Sequence, residues 1–195
     1  LDEPTAALPE ADVERLFAVN VFGAIRTDRA VLPHMRAAGS GLLVHVTSLM
    51  GRFTMPFFGI YSASKFALEA LAETYRYELS TFGIDSVIVE PGPFPSNLLS
   101  SSPQPSDAGV LASYGAVAAI PGQIKGNASQ THDTPTPPQP QLVADTIARL
   151  VEATERRRRV EAQTVDSEGS RAHPPSEFDA ALVVAGPHRA REPVD

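Results

Sequence analysis

The chain has 195 residues, 43% of them hydrophobic, which is enough for one globular domain with a buried core. Its 16 basic and 23 acidic side chains give a formal charge of -7, which repels phosphates and anionic lipid and argues against nucleic acid and membranes as partners. The absence of cysteine excludes disulfides and thiolate metal sites, and together with the lack of a long apolar run it favours a cytoplasmic protein.

The first predicted element is a long helix from Pro9 to Ala37. Its apolar residues recur near helical spacing, and Pro9 suits a first helical turn. Gly39-Ser40-Gly41 is predicted to stop this helix. The apolar run from Leu42 to Thr47 then has the composition of a strand buried on both faces, which indicates a parallel sheet. The stripe of the helix comprises Val13, Leu16, Phe17, Val21, Ala24, Val31, Leu32 and Met35.

A second long helix is predicted from about Ile60 to Phe82, ended by Gly83. Ser86 to Glu90 follows as another buried strand that runs directly into Pro91-Gly92-Pro93. Helices and strands that alternate in this order form crossover units, so the sequence predicts an α/β fold with a doubly wound parallel sheet. The stripe of the second helix comprises Leu68, Leu71, Tyr75, Leu79 and Phe82.

The remainder of the chain is less regular. Residues 95–140 are rich in Ser, Pro, Gly, Gln and Asn around a short apolar patch from Val110 to Ile120, and we predict a flexible substrate lid there. Helical spacing returns from Leu142 to Ala153, and Val160 to Val165 is a possible last strand. We therefore assign residues 1–166 to one domain and 167–195 to a largely disordered tail, apart from the short run from Ala180 to Ala185.

Tyr61 and Lys65 stand four residues apart at the start of the second helix, which places a phenol and an ammonium on one helical face. A free tyrosine titrates near ~10, and a nearby positive charge favours the phenolate and lowers that pKa. The pair therefore suits proton transfer near neutral pH. Taken alone, the same spacing also fits an ordinary amphipathic helix face.

Two further polar residues stand where a site would need them. Ser48 follows the first strand, at the carboxyl edge of the sheet where α/β proteins meet their ligands, although a serine in a turn often caps its own backbone. Asn20 falls on the apolar stripe of the first helix, where a buried carboxamide needs hydrogen-bond partners. Its role is either structural or catalytic.

Together these residues resemble the short-chain dehydrogenase/reductase family. The Asn, Ser, Tyr-x-x-x-Lys tetrad of that family matches Asn20, Ser48, Tyr61 and Lys65. Its Pro-Gly turn over the nicotinamide matches Pro91-Gly92, and the hydroxyl residue five positions after that proline matches Ser96. Order, spacing and context agree over roughly Pro9 to Asn97.

The resemblance implies an oxidoreductase that uses NAD or NADP to interconvert a carbonyl and an alcohol on a small molecule. It implies that Tyr61 is the general acid/base, that Lys65 holds the ribose and lowers the tyrosine pKa, and that Ser48 orients the substrate oxygen. Asn20 would hold a water in a proton relay. Tyr61, Lys65, Pro91, Gly92 and Ser96 would contact the cofactor, and the resemblance does not distinguish NAD from NADP.

The chain departs from the family pattern at its start. No Gly-rich turn for a pyrophosphate occurs ahead of the match, so we expect a partial Rossmann-type sheet that lacks its N-terminal strands and leaves the strand from Leu42 to Thr47 with an open edge. The alternative function is accordingly that of a catalytically inactive fragment or pseudoenzyme. Such a chain would act only through packing of its two long helices, by which the family forms homodimers or homotetramers.

Two other reaction classes are disfavoured by the sequence. Serine hydrolase chemistry lacks a G-x-S-x-G elbow, and His45, three residues before Ser48, is expected to point to the opposite face of the sheet. The five histidines show no paired spacing typical of metal ligands.

Overall fold

The computed structural model describes residues 4–95, 107–124, 126, 139–153 and, as backbone only, 181–184. Three predictions fall outside these residues. They are the strand from Val160 to Val165, the cofactor contact at Ser96 and, apart from 181–184, the disordered tail over 167–195.

Three parallel strands form the sheet, in the order β1 (Gly41–Val46), β2 (Ile84–Pro91) and β3 (Ala181–Val184). Strand β1 runs beside β2 with Val46 opposite Val89, and Ile88 of β2 lies opposite Ala181. The predicted α/β fold with a parallel sheet is confirmed. Its third strand lies within the apolar run that interrupts the predicted tail. Among the described strands, β1 pairs on one side only.

The first long helix is divided into two. Helix α1 (Glu10–Phe17) passes through a π-helical segment (Ala18–Phe22) into helix α2 (Gly23–Ala38), so the predicted single helix has nearly the expected ends but an irregular middle. Such π-helical segments are wider than an α-helix and occur often at functional sites. Asn20 stands at the centre of this segment.

Helix α3 (Gly59–Glu78) is followed by a 3-10 turn (Ser80–Phe82), as predicted to within a few residues. Gly83 ends it with a φ of 69°, a left-handed conformation that glycine adopts without strain, and Gly39 ends α2 in the same way with a φ of 65°. The two turns touch, because a Cβ at Gly83 would collide with the Gly39 carbonyl oxygen. This contact brings the amino-terminal ends of β1 and β2 together.

The region predicted as a lid contains short helices where it is described. Helix α4 (Ala108–Ser113) leads into a 3-10 segment (Gly115–Ala119) and a helical turn at 120–124. Asp107 starts α4, because its side chain accepts a hydrogen bond from the Val110 amide at 2.8 Å. The apolar patch is therefore helical, and the sequence interpretation overlooked the cap. Flexibility of the lid stays a prediction.

Helices cover both faces of the sheet. On one face the core is Leu32, Leu43, Leu79 and Ile84, which joins α2 and α3 to the strands. On the other face Val87 and Val89 pack against helix α5 (Gln141–Glu152) through Leu150. Helices on both faces of a parallel sheet place the loops after the strands at one edge, where a doubly wound fold forms its site.

Candidate active site

Ser48 lies just beyond the carboxyl end of β1. Its backbone is extended, and its side chain accepts a hydrogen bond from the Met50 amide at 3.2 Å, so that it starts a 3-10 turn (Leu49–Gly51). The capping role considered for this serine is therefore present. It holds the hydroxyl at the edge of the sheet.

Tyr61 stands in the first turn of α3 and is 8% exposed. Burial raises the pKa of its phenol, and a hydrogen bond with the Ser48 side chain opposes the rise. The strand end and the start of α3 thus bring together two residues that are thirteen positions apart in the sequence. Burial favours the protonated phenol.

Lys65 lies one turn after Tyr61. Its Nζ donates to the Val46 carbonyl oxygen at 3.3 Å and is 5.7 Å from the centroid of the Tyr61 ring. Burial lowers the pKa of Lys65, and the charge of Glu69 opposes that change. The expected lowering of the tyrosine pKa by Lys65 is wrong for this structure: burial raises the pKa of Tyr61, and Ser48 is the group that opposes the rise.

Asn20 is connected to α3 through Ser64. Its Nδ2 donates to the Ser64 Oγ at 3.0 Å, and that hydroxyl donates to the Tyr61 carbonyl oxygen at 2.7 Å. Ser64 is completely buried, so this bond fixes the π-helical segment against the first turn of α3. The structural role considered for Asn20 is present, and its catalytic role stays a prediction.

Pro91 and Gly92 lie at the carboxyl end of β2, at the same edge of the sheet as Ser48. Pro91 is the last residue of β2 and pairs with Val184, and both Pro91 and Gly92 are partly buried. They are therefore close to the edge that Ser48 occupies. The third residue predicted on this turn, Ser96, lies outside the described part of the chain.

A charged group behind this edge was missed by the sequence analysis. Arg52 Nε contacts Glu90 Oε1 at 2.6 Å and Glu69 Oε2 at 2.9 Å, and its Nη1 contacts Glu73 Oε1 at 3.5 Å. We refer to these four residues as the Arg52 cluster. Glu69 is 4% exposed and Glu90 is fully buried. The sequence did contain a signal for this group. Glu69 lies among the apolar residues of the second helix and Glu90 ends a buried strand, and acidic residues are rarely buried unless they are paired.

The charges of the Arg52 cluster shift its pKa values. Desolvation lowers the pKa of Arg52, but its hydrogen bond and charge interaction with Glu90, together with the other two carboxylates, outweigh this and raise it. Burial and the Glu90 charge raise the pKa of Glu69 to about 7, against a hydrogen bond from Thr47 and the charge of Arg52. Glu69 is therefore partly protonated near neutral pH.

A second set of polar residues is structural. His45 contacts Asp28 through Nε2 at 3.2 Å, and its Nδ1 is 3.5 Å from the Ser86 Oγ. The Ser86 hydroxyl donates instead to the Ala72 carbonyl oxygen at 2.8 Å, and all three side chains are buried beneath the sheet. This Ser, His and Asp set joins α2 to the strands and offers no accessible nucleophile.

Two further properties of the described residues bear on other functions. In that part of the chain, no three or more histidine or acidic residues are placed to hold a metal ion. None of the described helices has the length and apolar character needed to cross a bilayer.

A model of the family described as short chain dehydrogenase matches residues 1–106, a range that contains all seven predicted site residues. The chain belongs to this family. The predicted resemblance is therefore confirmed.

Relatives and solved structures agree with this assignment. The Bacillus subtilis protein YusZ, named as an uncharacterized oxidoreductase, is 32% identical over 148 residues, or 73% of this chain and 50% of YusZ. A short-chain dehydrogenase from Streptomyces avermitilis is 28% identical with a TM-score of 0.61, over 92% of this chain and 54% of that one. A Burkholderia cenocepacia gluconate 5-dehydrogenase, solved with NADP and tartrate, is 27% identical with a TM-score of 0.50, over 58% and 45%. The chain thus spans about half the length of these relatives.

Proposed function

We propose that this chain carries the proton-transfer part of an oxidoreductase that interconverts a carbonyl and an alcohol with a nicotinamide dinucleotide. The observation that carries the proposal is the convergence of Tyr61, Ser48 and Lys65 at the carboxyl edge of the parallel sheet. A hydroxyl, a phenol and an ammonium at one edge can orient a substrate oxygen and move a proton to or from it. Family membership and the oxidoreductase relatives support the same reaction class.

Tyr61 is the proton donor in this proposal. The phenol is protonated at neutral pH, a state that burial favours further by raising its pKa, and it can therefore donate a proton to a carbonyl oxygen. Ser48, which shares a hydrogen bond with the phenol, orients the same oxygen. In the reverse direction Tyr61 must first lose its proton, and the positive charge of Lys65 favours that loss.

The residues at the edge fit the nicotinamide end of such a cofactor. The Lys65 ammonium has three donors, and its contact with the Val46 carbonyl engages one of them, so ribose hydroxyls are suitable partners for the others. Pro91 and Gly92 would line the nicotinamide ring, and Ser96 is proposed to contact the cofactor. When bound, the cofactor supplies or accepts the hydride. NADP in the Burkholderia cenocepacia structure supports a nicotinamide cofactor, and the choice between NAD and NADP stays open.

Self-association is a further part of the proposal. Val19 and Phe22 of the π-helical segment and Phe66 and Tyr77 of α3 are 41% to 67% exposed, which is high for large apolar residues. We propose that these helices pack between copies of the chain in a homodimer or homotetramer. Such packing is compatible with either an active enzyme or a chain that has only an assembly role.

The experiment that tests the proposed function uses this chain and two matched variants. Purified protein is mixed with NADH or NADPH and a panel of aldehydes and ketones, and consumption of the reduced cofactor is followed by absorbance. Tyr61→Phe should abolish turnover because it removes the acidic hydroxyl. Tyr75→Phe, on a tyrosine of the same helix that packs against the core away from the candidate site, should leave it unchanged. A folded, associated chain without turnover would contradict the enzyme proposal and favour the assembly role.

A further inference from the structure

Glu69 follows Lys65 on the same face of α3. Tyr61, Lys65 and Glu69 stand at intervals of four residues, so the three side chains lie one above another along the helix. Glu69 is 4% exposed. Its charge raises the pKa of Lys65 and so opposes the lowering that burial causes. A buried carboxylate one turn from a functional ammonium needs an explanation beyond packing.

The Glu69 carboxylate is held in place from two sides. The Thr47 hydroxyl donates to its Oε1 at 2.9 Å, and Arg52 Nε lies 2.9 Å from its Oε2. Gly51 closes the third side, because a side chain there would collide with the carboxylate. Thr47 precedes Ser48 and Gly51 ends the 3-10 turn that follows it, so the segment that carries Ser48 contacts Glu69 at both of its ends.

Glu69 shares its arginine partner with two other carboxylates. Arg52, on the loop after the 3-10 turn, forms ion pairs with Glu90 of β2 and with two residues of α3, Glu69 and the half-exposed Glu73. One guanidinium thus faces three carboxylates. Lys65, one turn back on the same helix, is the second cation that interacts with Glu69.

We propose that Glu69 is a positioning residue for Lys65: held by Thr47, Arg52 and the close approach of Gly51, its carboxylate keeps the ammonium charged at the edge of the sheet. The inference rests on the proposed function only for the importance of Lys65 in the reaction. Glu69 itself is not proposed to touch substrate or cofactor. Its effect on Lys65 requires no turnover and can be measured in the chain by itself.

The chain offers a direct probe because Lys65 and Lys125 are its two lysines. With lysine labelled by ¹³C at the ε carbon, NMR titration follows both side chains separately, and Lys125 is an internal reference. Glu69→Gln should lower the pKa of Lys65, since loss of the negative charge disfavours the ammonium. Glu73→Gln removes a carboxylate that also contacts Arg52 but is 47% exposed, and it should leave the Lys65 midpoint unchanged. An equal Lys65 midpoint in wild type and folded Glu69→Gln would overturn the proposal.

A second measurement needs no variant, in case Glu69→Gln does not fold. In the wild-type chain the Lys65 signal should show an additional small step near the pKa of Glu69, about 7. A folded wild-type chain without this step in the Lys65 signal would contradict the inference. Failure of the proposed function would instead appear as absent turnover with the step and the Glu69→Gln effect both intact, so the two failures can be told apart.

Discussion

The Asn20 amide and the Ser64 hydroxyl are joined by a 3.0 Å hydrogen bond across 44 positions of sequence. Because Ser64 also donates to the Tyr61 carbonyl, this contact fastens the π-helical segment to the turn that carries the tyrosine. The bond is partly buried. Its loss therefore affects both stability and the position of α3.

The first prediction concerns this bond. Asn20→Ala should lower the free energy of unfolding by about 1 kcal/mol, the typical net worth of a hydrogen bond whose partner keeps a second contact. Thr27→Ala removes an exposed hydroxyl contact with Gly23 in the adjoining helix and should cost under about 0.5 kcal/mol. Urea denaturation of both variants checks the difference. Equal costs would show that the Asn20 contact contributes no more than a surface one.

The second prediction concerns the core between α3 and the sheet. Leu79 is 1% exposed and packs with Leu32, Leu43 and Ile84. Leu79→Ala should destabilise the chain by about 2–5 kcal/mol, because it removes buried apolar surface and leaves a cavity. Val151→Ala, at a site that is 59% exposed on α5, is the control and should change stability by less than about 0.5 kcal/mol. Thermal unfolding distinguishes the two, and similar melting temperatures would count against this core.

The third prediction concerns the glycine that ends α3. Gly83→Ala should cost more than about 1 kcal/mol, because Gly83 has a left-handed φ and an added Cβ would meet the Gly39 carbonyl oxygen. Gly122→Ala places its Cβ in open space and should be neutral or slightly stabilising. Chemical denaturation of the pair measures this. A tolerated Gly83→Ala would mean that the two turns do not touch as described.

The fourth prediction concerns pH. The folded pKa of Glu69, about 7, lies above its ordinary value of 4.5, so the folded chain binds a proton more tightly than the unfolded chain does. The contribution of Glu69 to stability is therefore present below pH 4.5 and is lost as pH rises from there to about 7. Relative to Glu69→Gln, wild type should lose at most about 3 kcal/mol over this window. Parallel stability curves of the two proteins would contradict the raised pKa.

Much of the fold could be predicted from local patterns. The apolar runs that became β1 and β2, and the stripes of α2 and α3, depend on neighbouring residues, so their order and approximate ends were correct. The π-helical segment was not predictable in this way, because it accompanies a contact between Asn20 and Ser64 that only the folded chain brings together. Strand β3 lies far along the chain, and its pairing with β2 follows from tertiary packing.

The geometry of the candidate site was predictable where residue spacing determines it. The four-residue interval between Tyr61 and Lys65 places them on one face in any helix, and family resemblance added Ser48 and Asn20. The direction of the Tyr61 pKa shift was not predictable from spacing, because it is set by burial, which depends on the whole fold. The Arg52 cluster was missed because charged residues ordinarily lie on the surface, and its partners are 17 to 38 positions apart.

The contact between Gly51 and Glu69 also predicts how these two positions vary among homologues. A Cβ at position 51 would lie where the Glu69 carboxylate now lies, so any side chain there would displace that carboxylate from its present position. We therefore expect the two positions to change together among homologues: where 51 carries a side chain, 69 should carry a smaller residue, and the arginine at 52 would then keep Glu90 and Glu73 as its partners.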